Sequence, residues 1–81
     1  MLNRIAVVGD KDSVLAFKAI GLDVFNVPSE AEAKDTIKNL AKDYKVIFIT
    51  DKLAQTLEHV LVKYKSRPYP VIVPIPSAEG S

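Results

Sequence analysis

Apolar positions along the chain follow two spacings in turn, one suited to strands and one to helices. Ile5-Ala6-Val7-Val8 is a continuous apolar run closed by Gly9-Asp10, the pattern of a strand covered on both faces. Val14 to Ile20 then reads as a helix of about two turns, with Asp12 or Ser13 as its cap. Gly21 follows as the residue just past the helix end, and Leu22 is placed for the accompanying apolar contact. Asp23-Val24-Phe25-Asn26-Val27 is a more polar strand ended by Pro28, as at a sheet edge. Ser29-Glu30-Ala31-Glu32 is a capping box, since the Ser hydroxyl can accept from the amide three residues on while the Glu carboxylate reaches back.

Ala33, Ile37, Leu40, Ala41 and Tyr44 form one apolar stripe on the second helix, with Glu30 and Lys34 paired on its other side. Lys45-Val46-Ile47-Phe48-Ile49-Thr50 is the most β-branched segment and predicts a central strand. Leu53, Leu57, Val60, Leu61 and Tyr64 repeat the earlier stripe position for position, which predicts a third amphipathic helix starting near Thr50 or Asp51. Tyr69-Pro70-Val71-Ile72-Val73-Pro74-Ile75-Pro76 is a last strand whose prolines cannot donate to a ladder, so it lies at an edge. Strand and helix alternate throughout, which predicts right-handed crossovers in a parallel four-stranded sheet with helices on both faces. The two poorest strands, the second and fourth, belong at the edges. The expected order is therefore 2-1-3-4, a flavodoxin-like or receiver-like α/β winding in one domain over residues 1–76, with 77–81 as a tail.

Composition narrows the function classes. Eighty-one residues suffice for one small domain. Eleven Lys and Arg against ten Asp and Glu provide no global field for nucleic acid or an anionic membrane. The absence of cysteine excludes a disulfide framework, a thiolate nucleophile and a Cys-based zinc site, and a single His, His59, excludes a His-rich one. No apolar run approaches the roughly twenty residues that a membrane helix needs. The N-terminus reaches Gly9-Asp10 before a signal-peptide core could form, so a cytoplasmic location is expected.

Chemistry in such a sheet belongs at the switch point between strands 1 and 3, where Gly9-Asp10-Lys11-Asp12-Ser13 and Thr50-Asp51-Lys52 should meet. One glycine and two carboxylates in the first loop do not suit a phosphate or dinucleotide. The carboxylates of Asp10, Asp12 and Asp51 could instead gather around Mg²⁺, as in the acidic pocket of a receiver domain. Against this stands plain helix capping by Asp12 and Asp51, with Asp10 satisfying turn amides. A receiver also places a Lys after a fifth strand, which this chain lacks. Lys63, Lys65 and Arg67, interleaved with Tyr64 and Tyr69, resemble a nucleic-acid patch, but basic residues are also expected at a helix C-terminus. Composition and spacing thus give no catalytic set, no cofactor and no metal site.

The segments Ile-Ala-Val-Val-Gly-Asp-Lys-Asp-Ser, Phe17 and Gly21, Val-Ile-Phe-Ile-Thr-Asp before a helix, and Pro70-Val-Ile-Val-Pro-Ile-Pro-Ser77-Ala-Glu-Gly-Ser81 together resemble the F subunit of V-type and archaeal-type ATPases and ATP synthases. The resemblance runs the length of the chain, and its most specific part is Ile-Pro-Ser-x-x-Gly-Ser after a proline-marked strand. It implies a non-catalytic rotor part of a membrane-bound complex, seated on the long coiled coil of the D subunit in the central stalk. There it would help couple ATP turnover in the A/B head to rotation and ion transport. The family pattern continues past this motif into a C-terminal helix, so the expectation here is the globular docking part alone. The expected partner surface is Thr50, Asp51, Lys52 and Gln55 at the start of the third helix, with Tyr69, Pro74, Pro76 and Ser77 at the proline-rich edge. The alternative is a receiver-like signalling domain with a Mg²⁺-binding acidic pocket.

Overall fold

Strands β1 (Ile5–Gly9), β2 (Asp23–Asn26), β3 (Val46–Thr50) and β4 (Val71–Ile75) pair in parallel in the order 2-1-3-4. The computed structural model describes residues 5–27 and 29–77. Pro28 as the end of the second strand, the N-terminal Met1 to Arg4 and the tail beyond Ser77 lie outside the described residues. Helices α1 (Lys11–Ala19), α2 (Glu30–Leu40), α3 (Asp51–Thr56) and α4 (Glu58–Leu61), with a 3₁₀ turn at Val62–Tyr64, fill the connections. Alternation along the strands decides the layers. Ala6, Val8, Ile47 and Ile49 are wholly buried on one face, packed with Ile37, Leu40 and Tyr44 from the α2 segment and with Leu57 and Leu61 around α4. On the other face α1 lies over β1 and β2, and its Phe17 meets Phe48 of β3 edge-on at 6.3 Å between centroids.

The ends of α1 come from particular side chains. Its N-cap is Asp10, where Asp12 or Ser13 was expected: the Asp10 carboxylate accepts from the Ser13 amide at 3.2 Å and from the Ser13 hydroxyl at 2.7 Å. The turn closes earlier than the apolar run suggests, because Asp10 reaches the amide three residues on. Past the other end Gly21 adopts φ +92°. Its amide donates to the Lys18 carbonyl at 3.1 Å and the Leu22 amide to the Phe17 carbonyl at 3.2 Å, the paired bonds of a Schellman motif. On α2 the Ser29 hydroxyl accepts from the Glu32 amide at 3.2 Å, the expected first half of the capping box. The Tyr44 hydroxyl donates to Asp23 Oδ2 at 2.8 Å and ties the chain after α2 to the edge strand.

The third amphipathic stretch is not one helix. It breaks at Leu57 (φ −101°, ψ 18°), which closes α3 and precedes α4. Leu57, Val60, Leu61 and Tyr64 are nevertheless all buried, as the stripe requires. Apolar spacing reports which side chains turn inward, and a one-residue distortion that keeps the stripe in phase leaves no mark on it.

Strand β4 tolerates its prolines by phase. The Val71 amide donates to the Lys45 carbonyl of the β3 side at 2.8 Å. Along a strand the polar groups of successive residues point to alternate sides, so Val71, Val73 and Ile75 address β3 whereas Ile72 and Pro74 face outward. The missing Pro74 N–H therefore falls on the open edge, and Pro70 and Pro76 flank the strand in the same phase. Ile72 is left as the one outward amide of β4.

Candidate partner-docking site

The loop after β1 and the start of α3 meet at the carboxyl edge, as the winding requires, in a cleft of about 320 Å³ that Asp10, Thr50, Lys52 and Ser77 help to line. The close approach of the two strand ends depends on Gly9: a Cβ there would overlap Thr50 Cγ2 and lie 3.3 Å from Thr50 Cβ. The Ser13 hydroxyl holds the Asp10 carboxyl below the usual aspartate range, with the Ser13 amide and the positive charge of Lys52 adding to the effect. The Mg²⁺ pocket does not assemble. Asp10 is engaged as a cap, Asp12 is exposed in the first turn of α1, and no group of three His, Asp, Glu or Cys among the described residues is placed to share an ion. Capping is also distributed differently from the expectation, because Thr50 occupies the N-cap position of α3 without a side-chain bond and Asp51 is its first helical residue.

A larger groove of about 580 Å³ runs between α3/α4 and the open side of β4. Ala54, Leu61 and Tyr64 form its helical wall, and Pro70, Ile72 and Pro74 its strand wall. Along the helical wall Asp51 opens α3, Glu58 opens α4 about midway, and Lys65 and Arg67 follow the end of α4. The Arg67 guanidinium lies 5.5 Å from the Tyr64 ring centroid and Lys63 Nζ 5.3 Å, so the buried ring anchors the basic end.

The eight residues predicted for the partner surface thus divide. Asp51, Gln55 and Pro74 line the groove; Thr50, Lys52 and Ser77 line the carboxyl-edge cleft. Tyr69 lies at the opposite end of β4, with Lys45 Nζ 5.2 Å from its ring centroid, and Pro76 is exposed beside neither set of walls. The groove also brings in Glu58 and Ile72, which the sequence pattern did not single out, and gives Tyr64, Lys65 and Arg67 a setting other than a nucleic-acid patch. The phase of the prolines was the available signal, since Ile72 sits between Pro70 and Pro74 and shares their side of the strand.

Charge follows the direction of the strands. Asp10, Asp12, Glu30, Glu32 and Asp51 lie at helix starts on the carboxyl edge, offset by Lys11 and Lys52. Lys18, Lys38, Lys42, Lys45 and the Lys63, Lys65, Arg67 group lie at helix ends and loops on the amino edge, offset by Asp23 and Asp43. Each sign complements the macrodipoles of the helices.

Winding and sheet order define the class: a small doubly wound parallel α/β domain of the flavodoxin and receiver type. Residues 5–81 match the family described as ATP synthase (F/14-kDa) subunit. The V-type ATP synthase F subunit of Clostridium botulinum is 50% identical over 82 residues, a match covering 100% of this chain and 80% of that protein. The A-type ATP synthase F subunit of Methanosphaera stadtmanae is 37% identical over 84 residues, covering 100% and 79%. The crystal structure of the V-type ATP synthase F subunit from Archaeoglobus fulgidus superposes with a TM-score of 0.78 at 22% identity, over 93% of this chain and 99% of that one, a likeness of fold. The chain belongs to the F-subunit family of V-type and A-type ATP synthases.

Proposed function

We propose that this chain is a non-catalytic subunit of the central rotor stalk of such a complex, docked on the long helical coiled coil of its D subunit and coupling ATP turnover in the A/B head to rotation and ion transport. It works on the cytoplasmic side as a peripheral part of the complex, and no described helix is long and apolar enough to cross a membrane. The observation that carries this reading is the similarity to F subunits along the whole of this chain. The geometry is in keeping with it: the Asp10 carboxylate at the switch point serves as the cap of α1, and the open surface is an apolar groove with charged residues along it, suited to contact more than to chemistry. A transmitter of torque needs a rigid body and a complementary surface, and a parallel sheet between helical layers supplies the first. Co-expression with the long helical stalk subunit of the same genome, followed by size exclusion and native mass spectrometry, tests the reading. A one-to-one complex is expected. A folded chain that elutes alone at micromolar concentrations of both subunits would overturn it.

A further inference from the structure

We infer that the groove between α3/α4 and β4 receives a single amphipathic α-helix of about three turns, basic over the half that runs from Asp51 to Glu58 and acidic where it meets Lys65 and Arg67. This rests on the reading of the chain as a subunit that docks on a helical partner, and it specifies the surface, the element and its orientation. An open sheet edge would ordinarily be extended by another strand, since a row of outward amides and carbonyls is a ready template. Here Pro74 removes one outward N–H of β4, Pro70 and Pro76 stand in the same phase at its ends, and Ile72 alone can donate. One amide cannot hold a ladder. What the edge presents instead is apolar bulk: Pro70, Ile72 and Pro74 facing Ala54, Leu61 and Tyr64 across about 580 Å³.

A helix suits this space because its own backbone is satisfied internally and it needs from its seat only an apolar strip with complementary charges. The five residues of β4 span about 16 Å, which corresponds to roughly eleven helical residues. Charge complementarity orients the occupant, because Asp51 stands at the α3 start and Glu58 midway, whereas the basic pair stands beyond the α4 end. A helix laid the other way would face like charges at both ends.

The chain contains no cysteine, so Gln55→Cys and Lys65→Cys each introduce a single thiol at an exposed position on the groove. Each is tested for disulfide formation against a single-cysteine scan of the stalk partner. Crosslinking that recurs every three or four partner residues, with Lys65→Cys reaching positions near partner acids, is the expected result; recurrence every second residue would mean an added strand and would sink the inference. In parallel, Gln55→Arg and the double variant Lys65→Glu, Arg67→Glu should each weaken the complex at least tenfold by titration. Leu15→Arg, on the exposed side of α1, should not. A complex that tolerates both groove variants overturns the groove and leaves the stalk reading standing. Loss on Leu15→Arg alone moves the docking face to α1, and dimerisation of this chain through Gln55→Cys would assign the groove to a second copy; either result overturns the inference. If the wild-type chain forms no complex at all, the stalk reading fails and the helix assignment falls with it.

Discussion

Two adjacent residues, Gly9 and Asp10, carry the joint between β1 and α1. A methyl group at Gly9 would run into Thr50, a buried β-branched side chain with little rotamer freedom. Gly9→Ala should therefore destabilise the fold by about 1–3 kcal/mol in urea titrations, and Thr50→Ala should recover part of that loss in the double variant, a positive coupling in a double-mutant cycle. Asp10 acts through its cap. Asp10→Ala should lower stability by about 1 kcal/mol near neutral pH, whereas Asp10→Asn, itself a good cap, should retain most of it. The two differ from wild type in acid. Because the folded-state pKa of Asp10 lies below its unfolded value, its ionic stabilisation is present above about pH 4 and is lost as the pH falls through the folded pKa. Wild-type stability should decline more steeply than that of Asp10→Asn across that window, and parallel curves would remove the charge from the account.

Among the elements, the Schellman motif after α1 and the open edge β4 invite direct tests. Gly21 has positive φ, and a Cβ added there would meet nothing within 4 Å, so Gly21→Ala should bring only the backbone penalty of about 1 kcal/mol, and Gly21→Asn less; chemical denaturation reads both. On β4, Pro74→Thr restores an outward amide and should promote self-association with concentration in analytical ultracentrifugation while leaving the monomer's unfolding midpoint nearly unchanged. Most of these elements were legible in the sequence because apolar period and cap chemistry agree: the order 2-1-3-4, the Ser29 cap and Gly21 all stand where the pattern places them. The misplaced cap at α1 and the break at Leu57 were not, for a shared reason. Asp10, Asp12 and Ser13 are chemically interchangeable as caps, and the apolar stripe has the same phase on both sides of the break, so local composition does not separate the alternatives.

At the scale of the whole molecule, the two clefts show what a linear reading leaves out. Thr50, Asp51 and Lys52 are consecutive, yet Asp51 lines the β4 groove while its neighbours line the carboxyl-edge cleft, because successive residues at a helix start point in different directions. Lys65 and Arg67 read as a basic patch until β4 is placed opposite α4. The same arrangement has a kinetic consequence. With a formal net charge of +1, the chain has almost no monopole to draw it toward a charged rod. Its acidic and basic residues nevertheless occupy opposite ends of the strands, so a partner's field exerts a torque and turns the molecule before contact is made. Association should consequently slow as salt rises from about 0.02 to 0.2 M, while dissociation changes little, and stopped-flow measurement separates the two. For a subunit proposed to seat in one orientation, alignment during approach shortens the search more than attraction does.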